Sequence, residues 1–166
     1  MLNVAFVGSF DPAHIGHLNT YQKATRILNQ RIKICICYNE FKPRGMFSID
    51  ERIAIARALF HTNEINSFAT HNEIKKLIVD SDLIVRGYRK TNEEAEKEYS
   101  LQLLTHFGLK NFSNRLYFVE IDDSYEGISS TMIRELAKTD VNGISKYFDE
   151  DSFKIVKRIL IKKYKL

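Results

Sequence analysis

Short apolar runs alternate along the chain with longer stretches in which apolar residues recur every three or four positions. The short runs are typical of buried strands, and the longer stretches are typical of helices that bury one face. The pattern predicts strands over Leu2–Val7, Ile32–Cys37, Ser67–Thr70, Asp82–Val85 and Leu116–Ile121. It predicts helices over Gly16–Leu28, from Ser48 onward, and over Glu73–Val79, Glu93–Phe107, Ser129–Lys138 and Ser152–Lys162.

This alternation of strands and helices favours a parallel sheet. Parallel neighbours need right-handed crossovers, which are usually helices, so both faces of the sheet become covered. We therefore expect an α/β fold: a single doubly wound, Rossmann-like domain over residues 1–166, with a five-stranded parallel sheet and helices on both faces. In such folds ligands bind beyond the carboxyl ends of the strands, at the topological switch point.

The composition is that of a globular protein and does not indicate a polymer partner. The 166 residues are 44% hydrophobic and 28% charged, with a net charge of +4. Much of the positive charge lies in the last stretch, from Lys154 to Lys165, interleaved with isoleucines. We interpret this stretch as an amphipathic closing helix with a solvated basic face, and we expect no nucleic-acid partner.

The two cysteines and the start of the chain favour a cytoplasmic location. Cys35 and Cys37 face the same side of a predicted strand, so they cannot close a normal disulfide with each other, and free thiols fit a reducing compartment. The chain opens into a strand rather than a signal peptide, and no apolar run approaches the length of a membrane span. We expect no membrane partner.

The segment from Gly8 to His17 carries the strongest chemical signal. Its sequence, Gly-Ser-Phe-Asp-Pro-Ala-His-Ile-Gly-His, lies where the first predicted strand becomes a helix. Helix N-termini present unpaired N–H groups and the positive end of the dipole, and a glycine allows close approach of a ligand. His14 and His17 are three residues apart, so both can point at one anion.

Further polar residues follow the other predicted strands. They are Ser9 and His17 after the first strand, Lys42 after the second, Arg86 and Arg89 after the fourth, and Ser129, Ser130 and Thr131 after the fifth. This set suits phosphate, because phosphoryl and nucleotidyl transfer need positioning and charge neutralisation more than covalent catalysis. The P-loop, the Gly-x-Gly-x-x-Gly fingerprint and metal-ligand spacing of Cys and His are missing from the sequence. Asp11 is either a metal ligand or a residue that orients the turn.

The motifs now assembled resemble those of the HIGH-motif nucleotidyltransferase superfamily, and within it the bacterial phosphopantetheine adenylyltransferase family. The first motif is Gly8 to His17, and the similarity continues through Lys42 to Arg52, Ile84 to Arg89, Glu98 to Leu103 and Ile128 to Thr131, over nearly the full length. The resemblance implies transfer of AMP from ATP to 4′-phosphopantetheine, giving dephospho-coenzyme A and pyrophosphate. It also implies Mg²⁺ bridging the phosphates with few protein ligands, and a homo-oligomer, a hexamer in this family.

Roles carried over from the family fall on matching positions of this chain. The resemblance implies catalytic roles for His17, Lys42 and Arg86. For the acceptor it implies contacts from Ser9, Lys42, Asn72 and Arg86. For ATP it implies contacts from Ser9, Phe10, His14, Gly16, His17, Gly87, Tyr88, Arg89, Glu98, Tyr125, Ile128, Ser129, Ser130 and Thr131. It assigns no side chain to a metal.

The chain departs from the family pattern at three places, which leave alternatives open. The family usually has Thr where His14 stands, the family's ATP-contacting glutamate falls on Glu98 or on Ser100, and the segment Glu126 to Arg134 is similar to cytidylyltransferases as well. The alternatives are a nicotinate or nicotinamide mononucleotide adenylyltransferase, another HIGH-motif enzyme such as a cytidylyltransferase, and a nucleotide-binding regulator on the same fold. The segment Ile84 to Arg89 favours the phosphopantetheine enzyme.

Overall fold

The computed structural model describes residues 1–38 and 45–164, and it confirms the α/β fold. The strands are β1 (Val4–Gly8), β2 (Ile32–Cys37), β3 (Ile65–Phe68), β4 (Leu83–Tyr88) and β5 (Leu116–Glu120). The helices are α1 (Ile15–Leu28), α2 (Ile49–Phe60), α3 (His71–Asp80), α4 (Glu93–His106), α5 (Ser130–Ala137) and α6 (Glu150–Tyr164). Short 3-10 turns cover Lys90–Asn92, Lys110–Arg115, Asp123–Tyr125 and Ser145–Tyr147.

All five strands pair in parallel, in the order β3-β2-β1-β4-β5. The chain therefore winds outward in one direction from β1 to β3, then crosses back to β4 on the other side of β1. The carboxyl ends of β1 and β4 lie side by side, with Phe6 opposite Val85 in the register. This pair of strands is the switch point where a doubly wound sheet opens a crevice.

Two apolar clusters fill the two faces of the sheet. The larger cluster packs α1, α2, α5 and α6 against one face through side chains such as Ala24, Ile55, Ile133 and Val156. The smaller one packs α3 and α4 against the other face, through Ile74, Ile78, Leu104 and Phe107 among others. Alternate residues of the strands supply the two clusters, as the two-residue period of a strand requires.

The third strand begins and ends earlier than its predicted span of 67–70. Ile65 is buried and pairs with Ile34, so it belongs to the strand. Thr70 instead caps α3: its hydroxyl accepts the N–H of Glu73, whose carboxylate accepts the N–H of Thr70. A threonine followed three residues later by glutamate is a capping box, which here marks the end of the strand.

Gly87 is required by packing between β4 and α1. A Cβ atom at this position would lie 2.7 Å from Oγ1 of Thr20. The strand and the first helix therefore approach more closely than any other residue would allow, which brings the tip of β4 next to the start of α1.

In the residues that the structure describes, no helix is long and apolar enough to cross a membrane.

Candidate functional site

A cavity of about 620 Å³ opens at the carboxyl edge of β1 and β4. It is bounded by the start of α1, the start of α5 and one face of α4. The structure brings thirteen of the predicted site residues to its lining: Ser9, Phe10, His14, Gly16, His17, Arg86, Gly87, Tyr88, Arg89, Ile128, Ser129, Ser130 and Thr131. The prediction that separate segments converge on one crevice agrees with this geometry.

Four predicted residues are not part of this lining. Lys42 lies outside the described residues. Tyr125 packs behind the start of α1 as part of the larger core cluster. Asn72 and Glu98 are exposed, and Glu98 lines a separate depression over residues 90–98. The helical period explains the displacement of Glu98, because the face of α4 toward the cavity carries residues three or four apart, Glu96, Ser100, Leu103, Leu104 and Phe107.

His14 caps the first helix. Its Nδ1 accepts the N–H of Gly16 at 3.1 Å, and it is the N-cap residue of α1. This is the interaction that a threonine hydroxyl makes at a helix start, so histidine replaces the family's usual residue without loss of the cap. Burial, and then the charges of His17 and Arg89, hold the pKa of His14 well below its usual value of 6.5. The imidazole is therefore a neutral acceptor.

His17 is oriented by the same turn. Its Nδ1 accepts the N–H of His14 at 3.2 Å, and the two rings stack with centroids 3.9 Å apart. The ring of Phe10 meets His17 edge-on at 5.0 Å, with Phe10 in the left-handed region at φ 43°. Because Nδ1 accepts a hydrogen bond, the N–H of the ring is assigned to Nε2. His17 therefore presents a hydrogen-bond donor at the cavity wall.

Asp11 orients the turn, which is the second of its two predicted roles. Its carboxylate accepts the N–H groups of Met46 and Phe47 at 3.1 and 2.9 Å. It also pairs with Arg52 at 3.3 Å and with Arg134 at 3.6 Å. These contacts occupy the carboxylate, and within the described ranges no cluster of His, Cys, Asp and Glu could hold a metal.

Arg52 and Arg134 also lie at the cavity, and the sequence did not single them out. Arg52 is 6% exposed and donates to the carbonyls of Phe47 and Ser9. Arg134 donates to the carbonyl of Asp11 and to Thr131. Both line the cavity. Each lies on a helix, 41 or 123 residues from Asp11, and a single sequence carries no signal that pairs residues so far apart.

Arg86 is paired inside the cavity with a residue the sequence did not suggest. Its Nε donates to Glu96 at 3.0 Å, its Nη2 donates to the same oxygen, and its Nη1 donates to the carbonyl of Val7 at 3.0 Å. Both charged side chains are less than one-fifth exposed. A guanidinium has five N–H donors, so these three contacts leave two for an anion.

The start of α5 is held beside the turn before α1 by hydrogen bonds of its own residues. Ser129 caps α5 by accepting the N–H of Met132, and Ser130 donates to the carbonyl of Pro12 at 2.9 Å. Arg89 donates to the carbonyl of Ile128 at 2.7 Å. These contacts place the positive ends of α1 and α5 at the same cavity, which is an arrangement suited to phosphate.

Part of the cavity lining, here called the apolar arm, is formed by apolar side chains of the smaller core cluster on α3 and α4. Its walls are Ile74 and Ile78 on one side and Leu103, Leu104 and Phe107 on the other, with Cys37 at the sheet.

Burial raises the pKa of the Cys37 thiol to about 12. The thiol is therefore protonated at neutral pH and is not a nucleophile.

We predict that His14 makes the protein less stable in mild acid. The unfolded chain protonates His14 near its ordinary pKa, whereas the folded chain does not. The free energy of unfolding therefore falls as pH drops below about 6.5, by up to about 1.4 kcal/mol per pH unit. His14→Thr keeps a cap and should remove this contribution, measured by urea unfolding at pH 7 and pH 5.

The matched control is His61→Asn, which removes an exposed histidine at a left-handed C-cap that asparagine tolerates. This control should keep the loss of stability at pH 5. An equal loss in wild type and His14→Thr would contradict the assignment to His14.

We predict that Glu96 weakens anion binding at Arg86. Glu96→Gln keeps an oxygen that can accept from Arg86 but removes the competing charge. Pyrophosphate affinity, measured by titration calorimetry, should rise about tenfold, the equivalent of roughly 1.4 kcal/mol. Glu94→Gln makes the same charge change at an exposed position of the helix and should have little effect. Unchanged or weaker binding in Glu96→Gln would mean that Glu96 only orients Arg86.

Comparison with known proteins finds relatives of this chain in one family. The model of the cytidylyltransferase-like family matches residues 5–136. A phosphopantetheine adenylyltransferase of Corynebacterium diphtheriae is 31% identical over 140 residues, covering 79% of this chain and 81% of the relative. Another, of Deinococcus radiodurans, is 29% identical over 146 residues, covering 82% of this chain and 81% of the relative.

A solved structure supports the fold. TmcAL of Thermotoga maritima, bound with α-thio ATP, superposes with a TM-score of 0.64 at 13% identity, covering 98% of this chain and 56% of the longer neighbour. At this identity the likeness shows the fold alone. The family match and the relatives together identify the chain as an enzyme, a member of the cytidylyltransferase-like nucleotidyltransferases and, within them, of the phosphopantetheine adenylyltransferase family.

Proposed function

We propose that the protein transfers AMP from ATP to 4′-phosphopantetheine, giving dephospho-coenzyme A and pyrophosphate. The observation that carries this proposal is the lining of the cavity, which combines a cationic end at two helix starts with apolar side chains of α3 and α4, the apolar arm. The cationic end suits the triphosphate and the acceptor phosphate, and the arm suits the uncharged chain of pantetheine. A small, wholly polar acceptor would leave the arm unused.

The chemistry requires no covalent enzyme intermediate. An oxygen of the acceptor phosphate attacks the α-phosphorus of ATP, a new P–O bond forms, and the bond to the β-phosphate breaks as pyrophosphate leaves. His17 would donate from Nε2 to an α-phosphate oxygen, where charge increases in the transition state. Arg86 and Arg89 would hold the phosphates, and Lys42 is proposed to assist in the acceptor contact.

Mg²⁺ is proposed as the cofactor, held chiefly by the nucleotide. The carboxylate of Asp11, in the turn before α1, already accepts from two backbone N–H groups and pairs with two arginines. The residues described here thus fit an ion that binds the phosphates of ATP rather than a cage of protein ligands. When bound, the ion would neutralise part of the phosphate charge.

The role of His14 bears on the alternative acceptors. The family usually has threonine at this position, so the histidine left a mononucleotide acceptor open as an alternative. In the structure it serves as the N-cap of α1, so its presence does not require a different acceptor. The assembly as a hexamer, the cytoplasmic location and the absence of nucleic-acid and membrane partners stay predictions, as does the extent of the single domain.

We predict that pyrophosphate release from ATP depends on 4′-phosphopantetheine. The assay compares this acceptor with nicotinamide mononucleotide and with glycerol 3-phosphate supplied with CTP. Only the first should give turnover, because only it fills both the cationic end and the apolar arm. Turnover with the mononucleotide alone would reassign the acceptor, and binding of ATP without any turnover would favour the nucleotide-binding regulator.

We predict that His17→Ala lowers kcat by about 100-fold or more, while the affinity for ATP changes much less. The reason is that its contact strengthens in the transition state rather than in the ground state. Kinetics gives kcat, and calorimetry gives the affinity.

Because His17 also accepts the N–H of His14, His17→Asn is made in parallel: its amide oxygen can replace that acceptor and preserve the helix start. Both variants should lose kcat alike, whereas His61→Ala, at an exposed histidine, should keep it. An equally large loss of ATP affinity in both His17 variants would show that His17 binds the ground state.

A further inference from the structure

One buried hydroxyl in the cavity has no hydrogen-bond partner. Ser100 is 3% exposed, lines the cavity, and its Oγ contacts no donor or acceptor among the described residues. A serine inside a helix usually donates to the carbonyl four residues earlier, as Thr105 does to Leu101 on the same helix at 2.8 Å. The hydroxyl of Ser100 does not make the corresponding bond to the carbonyl of Glu96. A buried hydroxyl without a partner is unfavourable, so its position is best explained by a ligand group that completes it.

The neighbours of Ser100 on α4 indicate which ligand this is. Glu96, one turn before it, lies beside Arg86 at the cationic end. Leu104, one turn after it, belongs to the apolar cluster of the arm. Each step of four residues advances about 6 Å along the helix axis. Ser100 therefore lies on α4 between a residue at the cationic end of the cavity and a residue of the apolar cluster.

We infer that the Ser100 hydroxyl hydrogen-bonds the amide of the acceptor nearest its phosphate and so selects a phosphorylated amide chain over other phosphorylated acceptors. The inference rests on the proposed function. In 4′-phosphopantetheine the first amide carbonyl lies roughly 6 Å from the phosphorus when the chain is extended, which matches one turn of α4. An amide satisfies the hydroxyl as donor or as acceptor, and the chain beyond it continues into the apolar arm.

The test is Ser100→Ala, compared with Thr25→Val. Thr25 on α1 carries the other buried hydroxyl without a partner in the described part of the chain, and it is not part of the cavity lining. Both variants remove an unsatisfied hydroxyl, so neither should lower the melting temperature of the ligand-free protein, and either can raise it. Only Ser100→Ala should raise the KM for 4′-phosphopantetheine, by about threefold to tenfold. The KM for ATP and kcat should stay within twofold.

A second substrate separates direct contact from indirect effects. An analogue of 4′-phosphopantetheine with the first amide replaced by methylene groups should bind the wild type more weakly than the natural acceptor. In Ser100→Ala the preference for the natural acceptor over the analogue should shrink to less than twofold, because the hydroxyl that hydrogen-bonds the amide has been removed.

The outcomes are distinct. A rise in the KM for ATP instead of the acceptor would overturn the inference and assign Ser100 to the nucleotide. Unchanged KM values in an active Ser100→Ala variant, or an undiminished preference for the amide, would overturn it and leave the proposed function intact. No pyrophosphate release by the wild type with 4′-phosphopantetheine would overturn the proposed function, and the inference with it.

Discussion

The carboxylate of Asp11 is the contact on which the arrangement of the site depends. It is 6% exposed, accepts two backbone N–H groups from the segment before α2, and pairs with Arg52 and Arg134. A buried carboxylate is stable only when its charge is matched and its lone pairs are used, and removing one partner leaves the others uncompensated. Four segments far apart in sequence are therefore fixed together: the turn after β1, the segment before α2, α2 itself and α5.

The position of the two helix starts follows from this network. Arg52 holds the carbonyl of Ser9, and Arg134 holds the carbonyl of Asp11, so the turn that leads into α1 cannot shift relative to α5. Ser130 adds a third bond to the same turn at Pro12. The partial positive charges of two helices then point into one space without requiring mobile side chains. Catalysis by positioning depends on such fixed dipoles, because they need no reorganisation during the reaction.

The sequence predicted what depends on local periodicity and on the ends of strands. It identified the doubly wound sheet and the segments that meet at its carboxyl edge, because an apolar period and parallel topology determine both. It did not identify the partners of Asp11 and Arg86, since ion pairs across 41, 123 and 10 residues leave no pattern in one sequence. For the family's ATP-contacting glutamate it left Glu98 and Ser100 open, and of these two only Ser100 lies on the face of α4 that lines the cavity, together with Glu96. His14 shows the same limit: the residue type suggested contact with an anion, and the structure adds a helix cap that the sequence did not indicate.

The arginines at the cavity are paired with groups of the protein itself, which explains how several cations lie close together when no phosphate is bound. Arg52 and Arg134 share Asp11, Arg86 is paired with Glu96, and Arg89 donates to a backbone carbonyl. Like charges brought together without such partners would repel one another and destabilise the fold. Affinity for phosphate therefore depends on the arginine N–H groups that have no internal partner and on the two helix starts. It is reduced by repulsion between the bound phosphate and Glu96, which already pairs with Arg86. Selection among phosphorylated acceptors must then come from the part of the acceptor beyond its phosphate. In the proposed reaction this part meets the apolar arm and the face of α4.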